Sequence, residues 1–222
     1  MLQRTKRVFS KLPVWVEAFI ILFLAFGFSA LYGLTLAFKD LEFTNAAAIR
    51  GIFQEFLVAL ICVGILYLRG WKLWRNFPFD VNLKHAALGL GLVVASNIAY
   101  VLFYNTAVLS VGIDALRISK FTVSANVGLL FAVSLINPLF EETFVVYYLF
   151  ERLKGYGPVL FVVASTLLRV SYHLYQGWLG VISILPFGIL FAIAFWKTKN
   201  LMPLYFAHAI QDLIGLLSLP RS

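Results

Sequence analysis

The stretch Phe131-Ala-Val-Ser-Leu-Ile-Asn-Pro-Leu-Phe-Glu-Glu-Thr-Phe-Val-Val-Tyr-Tyr-Leu-Phe150 decides how the chain is read. A membrane-crossing helix needs about 20 mostly apolar residues, and this run supplies them. It also carries two adjacent carboxylates, Glu141 and Glu142. An ionised side chain in hydrocarbon is costly, and neighbouring like charges repel. Such residues face a protein interior or a water-filled cavity and mark functional positions. The run therefore predicts a helix inside a membrane bundle and a polar site built around the glutamate pair.

The rest of the chain agrees. Of 222 residues, 62% are hydrophobic and 13% charged, and the mean hydropathy is +0.91. That composition excludes a soluble domain and predicts an all-α, polytopic membrane helix bundle. Seven apolar runs stand out: about 14–38, 52–68, 84–104, 122–150, 157–176, 178–196 and 200–218. None shows the short period-two segments of a β-barrel. The fourth run is long for one span and is expected to tilt, kink or split near Asn137-Pro138. The net charge of +8 comes from short basic clusters between apolar runs, which points to lipid headgroups and away from nucleic acid. With seven spans and a cytoplasmic N-terminus, cytoplasmic segments hold twelve basic residues and outer segments five. This is the positive-inside bias. The N-terminal run is too long for a signal peptide, so it reads as a first span. Residues 71–83 read as an interfacial stretch with tryptophans at headgroup level. The single cysteine, Cys62, rules out an internal disulfide.

Within the spans the polar residues gather in the last third. Arg169 and His173 lie four apart on the fifth run, and His208 and Asp212 four apart on the seventh. That spacing puts each pair on one helix face. Adjacent Glu141 and Glu142 point about 100° apart, so one faces a cavity while the other takes a structural hydrogen-bonded role. Glu17 and Glu55 read as structural or interfacial, and Asn97 and Asn137 as hydrogen-bond glue between helices. If the three helices converge, a carboxylate beside an imidazole can hold and activate water. A second imidazole can then donate to the oxyanion formed on an amide carbonyl. Glu141, His173 and His208 would also suit zinc as a two-histidine, one-carboxylate shell, although no His-Glu-x-x-His motif supports it. Taken singly, each piece also fits a buried ion pair or a helix contact; the conjunction carries the functional reading.

Glu-Glu, then a histidine on the next span, then His-x-x-x-Asp near the C-terminus resembles the pattern of the CPBP family. These are the CAAX protease and bacteriocin-processing (Abi) intramembrane endopeptidases. The resemblance covers about residues 122–218 as a catalytic helix core; residues 1–121 show no matching motif. It implies Glu141 as the general base for water, Glu142 as a supporting carboxylate, and His173 as the group positioning the water. It implies His208 and Asp212 as the oxyanion pair. It also implies hydrolysis of a membrane-embedded or lipidated substrate in a bacterial plasma membrane, with no cofactor in its glutamate-based form and zinc in its metalloprotease form. Three positions depart from the family pattern. Val146 stands where arginine is usual, Arg169 where phenylalanine is usual, and Asp212 where asparagine is usual. The first two are read as linked: Arg169 supplies the displaced positive charge and pairs with Glu142 or Asp212. Two other classes stay open. One is a non-catalytic membrane chaperone or bacteriocin-immunity protein; the other is a small proton-coupled transporter.

Overall fold

The computed structural model describes residues 12–36, 39–71, 77–112 and 120–222. Its helices follow the apolar runs. α1 (Val14–Leu36) widens into a π segment at Phe23–Gly27. α2 spans Asn45–Leu68 and α3 spans Leu83–Val111. α4 (Val127–Tyr156) begins as a regular helix and widens into a π segment at Glu142–Tyr148. α5 is Pro158–His173, α6 is Gly177–Thr198 and α7 is Met202–Ser218. Side-chain caps start three of them: Thr44 accepts from the Ala47 N–H, Asn82 from His85 and Asn126 from Leu129.

The all-α expectation holds, and five stretches among the described residues are long and apolar enough to cross a membrane. The expected fifth and sixth spans form one 41-residue stretch, Pro158–Thr198. A straight helix of that length would reach about 60 Å, twice the hydrocarbon core. It is interrupted by a 3₁₀ turn at Leu174–Gln176, Gly177 takes φ +67°, and α5 packs back on α6. α7 has 17 residues, at the lower end of the length of a crossing. Much of the orientation argument rests on Arg4, Lys6, Arg7, Lys11, Lys72, Arg75 and Arg117, which lie outside the described residues, as does Trp74. Trp71 does not stand alone at headgroup level. It packs on Tyr147 and Tyr148 with the Arg152 guanidinium 4.5 Å from its ring.

The bundle is apolar outside as well as inside, with a polar set buried in its core. Phe19, Leu31, Phe53, Phe56, Val94 and Leu102 point outward. The interior holds Glu17, Ser96, Ser134, Glu141, Glu142, Ser165, Thr166, Arg169 and His208. Every residue from Glu141 to Phe150 is buried, so the second half of α4 is the axis of the molecule. α4 is not split at Pro138, which sits buried inside the regular segment. The irregularity comes four residues later, where the helix widens immediately after Glu141. Two close approaches fix the neighbours. A Cβ on Gly89 of α3 would lie 2.8 Å from the Phe206 ring and 3.0 Å from the Pro203 carbonyl of α7. A Cβ on Gly188 of α6 would meet Thr166 of α5 at 3.2 Å. Small residues let membrane helices approach this closely.

Two features have no sequence signal. A pair of three-residue parallel strands, β1 (Leu41–Phe43) and β2 (Phe121–Val123), joins the loops before α2 and α4. The C-terminal tail lies along β2: the Val123 N–H donates to Pro220 O, and Ser222 N–H to Val123 O. At Glu17 of α1, Arg69, Arg152 and Tyr148 all donate to one buried carboxylate. This bears out a structural reading of Glu17.

Candidate active site

α4, α5 and α7 bring the three sequence pieces together. Arg169 is the hub. It is 1% exposed and lies beneath the rings of Phe187 and Phe191 of α6. Its Nη1 donates to Glu141 Oε2 at 3.1 Å. Its Nη2 donates to both oxygens of Glu142 at 3.0 Å. The forked guanidinium thus spans the 100° between neighbouring helix positions and neutralises part of both charges. Its partner is Glu142, one of the two partners expected, and it reaches Glu141 as well; Asp212 is bonded elsewhere. Val146, where the family pattern has arginine, is a buried apolar residue of the π segment.

The two glutamates have different surroundings. Glu142 is closed in: besides Arg169, its Oε1 lies 2.7 Å from His208 Nδ1. Glu141 is held on one side only. Its Oε2 accepts from Arg169 and from the Tyr172 hydroxyl at 2.6 Å. Its Oε1 is turned toward His173 Nε2, 3.8 Å away. Both ring nitrogens of His173 are buried and have no hydrogen-bond partner among the described residues. The outer end of the network is His208 Nε2 to Asp212 Oδ1 at 3.4 Å and Asn137 Nδ2 to Asp212 Oδ2 at 3.2 Å.

A cavity of about 1210 Å³ reaches this network. Glu141, His173, Asp212 and Asn137 line it, together with Tyr172 and Glu55; Glu142, Arg169 and His208 do not. Its size exceeds the usual range of small-ligand pockets and suits a peptide segment. Phe43, Lys120, Phe121 and Pro220 form its rim at the strand end, so the small sheet and tail border the opening.

Sequence reasoning passed over two of these residues. Tyr172 lies within the Arg169–His173 pair, but a tyrosine in an aromatic-rich chain gives no signal of its own; only its hydroxyl contact reveals it. Glu55 looked close to a span end because hydropathy starts the second run near residue 52. The Thr44 cap starts α2 seven residues earlier and places Glu55 near mid-helix. Asn97 does not join two helices. Its side chain donates to Val93 O of its own turn. Asn137 does join α4 to α7.

The donor set of a zinc reading is arranged differently from a metal shell. No group of three His, Cys, Asp or Glu among the described residues is spaced to hold an ion. His208 has one nitrogen against Glu142 and the other against Asp212. Glu141 has one oxygen under Arg169. The arrangement instead offers a half-free carboxylate oxygen beside an unpartnered imidazole in a cavity, which is a geometry for holding water.

No curated protein and no solved structure matches the chain. Residues 123–214, the segment that carries the glutamate pair, His173 and the His208–Asp212 pair, match the family model described as Type II CAAX prenyl endopeptidase Rce1-like, so that segment is similar to the CAAX proteases.

Proposed function

We propose that the protein is an intramembrane endopeptidase in which Glu141 activates water for attack on a peptide bond of a membrane-embedded or lipidated substrate. The observation that carries this reading is the pairing of Glu141 Oε1 with His173 Nε2 across 3.8 Å inside the cavity. A water about 2.8 Å from each atom closes that triangle. Glu141 takes one proton as the water oxygen bonds to the carbonyl carbon. The C–N bond then breaks, and the proton passes to the leaving nitrogen. Arg169 and Tyr172 hold the other oxygen of Glu141, so the base keeps one orientation. Glu142 anchors Arg169 and His208 from behind. His208 Nε2 in turn meets Asp212 Oδ1 at 3.4 Å. Asn137 offers an amide donor to the oxyanion at the cavity wall, and His208 supports it from behind that wall through Asp212. Residues 122–218 form the catalytic core in this reading. The chain crosses a bacterial plasma membrane seven times with its N-terminus in the cytoplasm, and the reaction needs no metal.

A non-catalytic chaperone or immunity role has one observation in its favour: Arg169 covers three of the four glutamate oxygens. The deciding experiment is cleavage of candidate membrane peptides by the reconstituted protein against Glu141→Gln, with and without a chelator. Activity lost by roughly 10²–10⁴-fold in the variant and unchanged by the chelator supports the glutamate mechanism. Chelator sensitivity would overturn the metal-free step. Equal cleavage by both proteins would overturn the role of Glu141.

A further inference from the structure

Glu55 is the cavity carboxylate that the proposed mechanism does not use. It lies ten residues into α2, about 15 Å from the helix start, and so at membrane depth. Its Oε2 is buried and has no hydrogen-bond partner among the described residues. The other carboxylates of the cavity are matched: Glu141 by Arg169 and Tyr172, Asp212 by His208 and Asn137. No described Lys, Arg or His forms an ion pair with Glu55. Glu55 also stands where two openings meet. One is the cavity that contains Glu141. The other is a separate space of about 620 Å³ between α2 and α4, lined by Ile52, Phe56, Ile136 and Phe140. Apart from Glu55, that second space is almost wholly apolar.

We propose that Glu55 is a specificity-determining residue that receives the lysine ammonium or arginine guanidinium of a substrate peptide adjoining an apolar segment. This rests on reading the site as a peptidase. Glu55 is partly buried, and its enclosed Oε2 lacks a partner among the described residues, so a cationic ligand gains a pairing there that a neutral one does not. The apolar space beside Glu55 takes the residues on one side of that cation. The Glu141 cavity takes the chain on the other side, where the reactive carbonyl lies.

The test measures binding and cleavage separately. The full-length protein in lipid nanodiscs is titrated with a fluorescent apolar peptide carrying a single Lys, and with its Lys→Gln and Lys→Glu versions. Glu55→Gln and Glu55→Lys proteins are titrated alongside. The expected result is roughly 10–100-fold tighter binding of the Lys peptide by wild type. Glu55→Gln loses that preference, and Glu55→Lys shifts it to the Glu peptide. A merely structural role would weaken all three peptides alike. Equal binding of the three peptides by wild type, or an unchanged preference in Glu55→Gln, overturns the proposal. Charge-selective binding without cleavage of any peptide supports the role of Glu55 while counting against the peptidase reading.

Discussion

Replacing Arg169 with leucine tests the centre of the site. Arg169 is buried and gives three hydrogen bonds of 3.0–3.1 Å to two buried carboxylates. Its removal leaves Glu141 and Glu142 adjacent in a low-dielectric interior with no guanidinium between them. Breaking a buried ion pair from one side costs about 3–5 kcal/mol, because the remaining charge is stranded. For a chain of this length that corresponds to a fall in melting temperature of roughly 6–20 °C. The assay is thermal unfolding in detergent micelles followed by circular dichroism. A second variant separates the pair from simple packing loss. In Arg169→Leu with Glu142→Gln, the stranded charge on α4 is also removed, and about 2 kcal/mol of the loss should return. Cleavage activity should stay low in both, since Glu141 has lost the group that orients its Oε2. Charge reversal at Arg169 should abolish cleavage, and exchanging the charges of Arg169 and Glu142 should restore part of it. The reasoning is refuted if Arg169→Leu melts with wild type and cleaves at the full rate, or if the two substitutions are simply additive in stability.

Three further outcomes follow from single contacts. Tyr172→Phe removes the 2.6 Å hydroxyl bond to Glu141; a bond to a charged group contributes about 1.5–3 kcal/mol, so the cleavage rate should fall roughly 10–100-fold with the fold intact by circular dichroism. Gly89→Val drives a side chain against the Pro203 carbonyl and the Phe206 ring; overpacking of about 1–3 kcal/mol should lower the melting temperature, whereas Gly91→Ala, with open space around it, should not. Glu42 lies outside the spans, and hydroxyls of Ser124 and Ser222 hold its carboxyl below the ordinary carboxylate range. A depressed carboxyl favours the folded tail above its ordinary range, and that contribution disappears as pH falls through the lowered value. The protection of the Val123 and Ser222 amides, measured against the intrinsic exchange rate at each pH, should therefore fall on acidification, and Ser222→Ala should weaken that dependence.

Much of this site was visible in the sequence because membrane burial makes polar residues conspicuous. Glu141, Glu142, Arg169, His173, His208 and Asp212 stood out against apolar runs, and helical spacing placed each pair on one face. Charge balance ties the pairs to Arg169, because Val146 is apolar where the family pattern has arginine. Other features depend on forces that leave no periodic trace. Whether Glu141 or Glu142 met the cavity turned on how the guanidinium of Arg169, on the next helix, divided itself between them. His208 lies behind Glu142 rather than at the cavity wall, because its Nδ1 is taken by that carboxylate. The 41-residue stretch looks like two spans in hydropathy, but its break rests on one glycine with positive φ. β1 and β2, at three residues each, are too short to show alternation.

The widened segment Glu142–Tyr148 sets the angular phase of α4. Each i→i+5 turn takes one residue more than an α turn, which amounts to about 100° of rotation. The glutamates at its start therefore face α5 and α7, while Arg152 beyond its end faces Glu17 on α1. A uniform helix through the same residues would turn one end by about 100° relative to the other. α4 thus behaves as a shaft indexed separately at its two ends. Its reactive end and its anchoring end can keep different bearings because seven buried residues between them take up the difference.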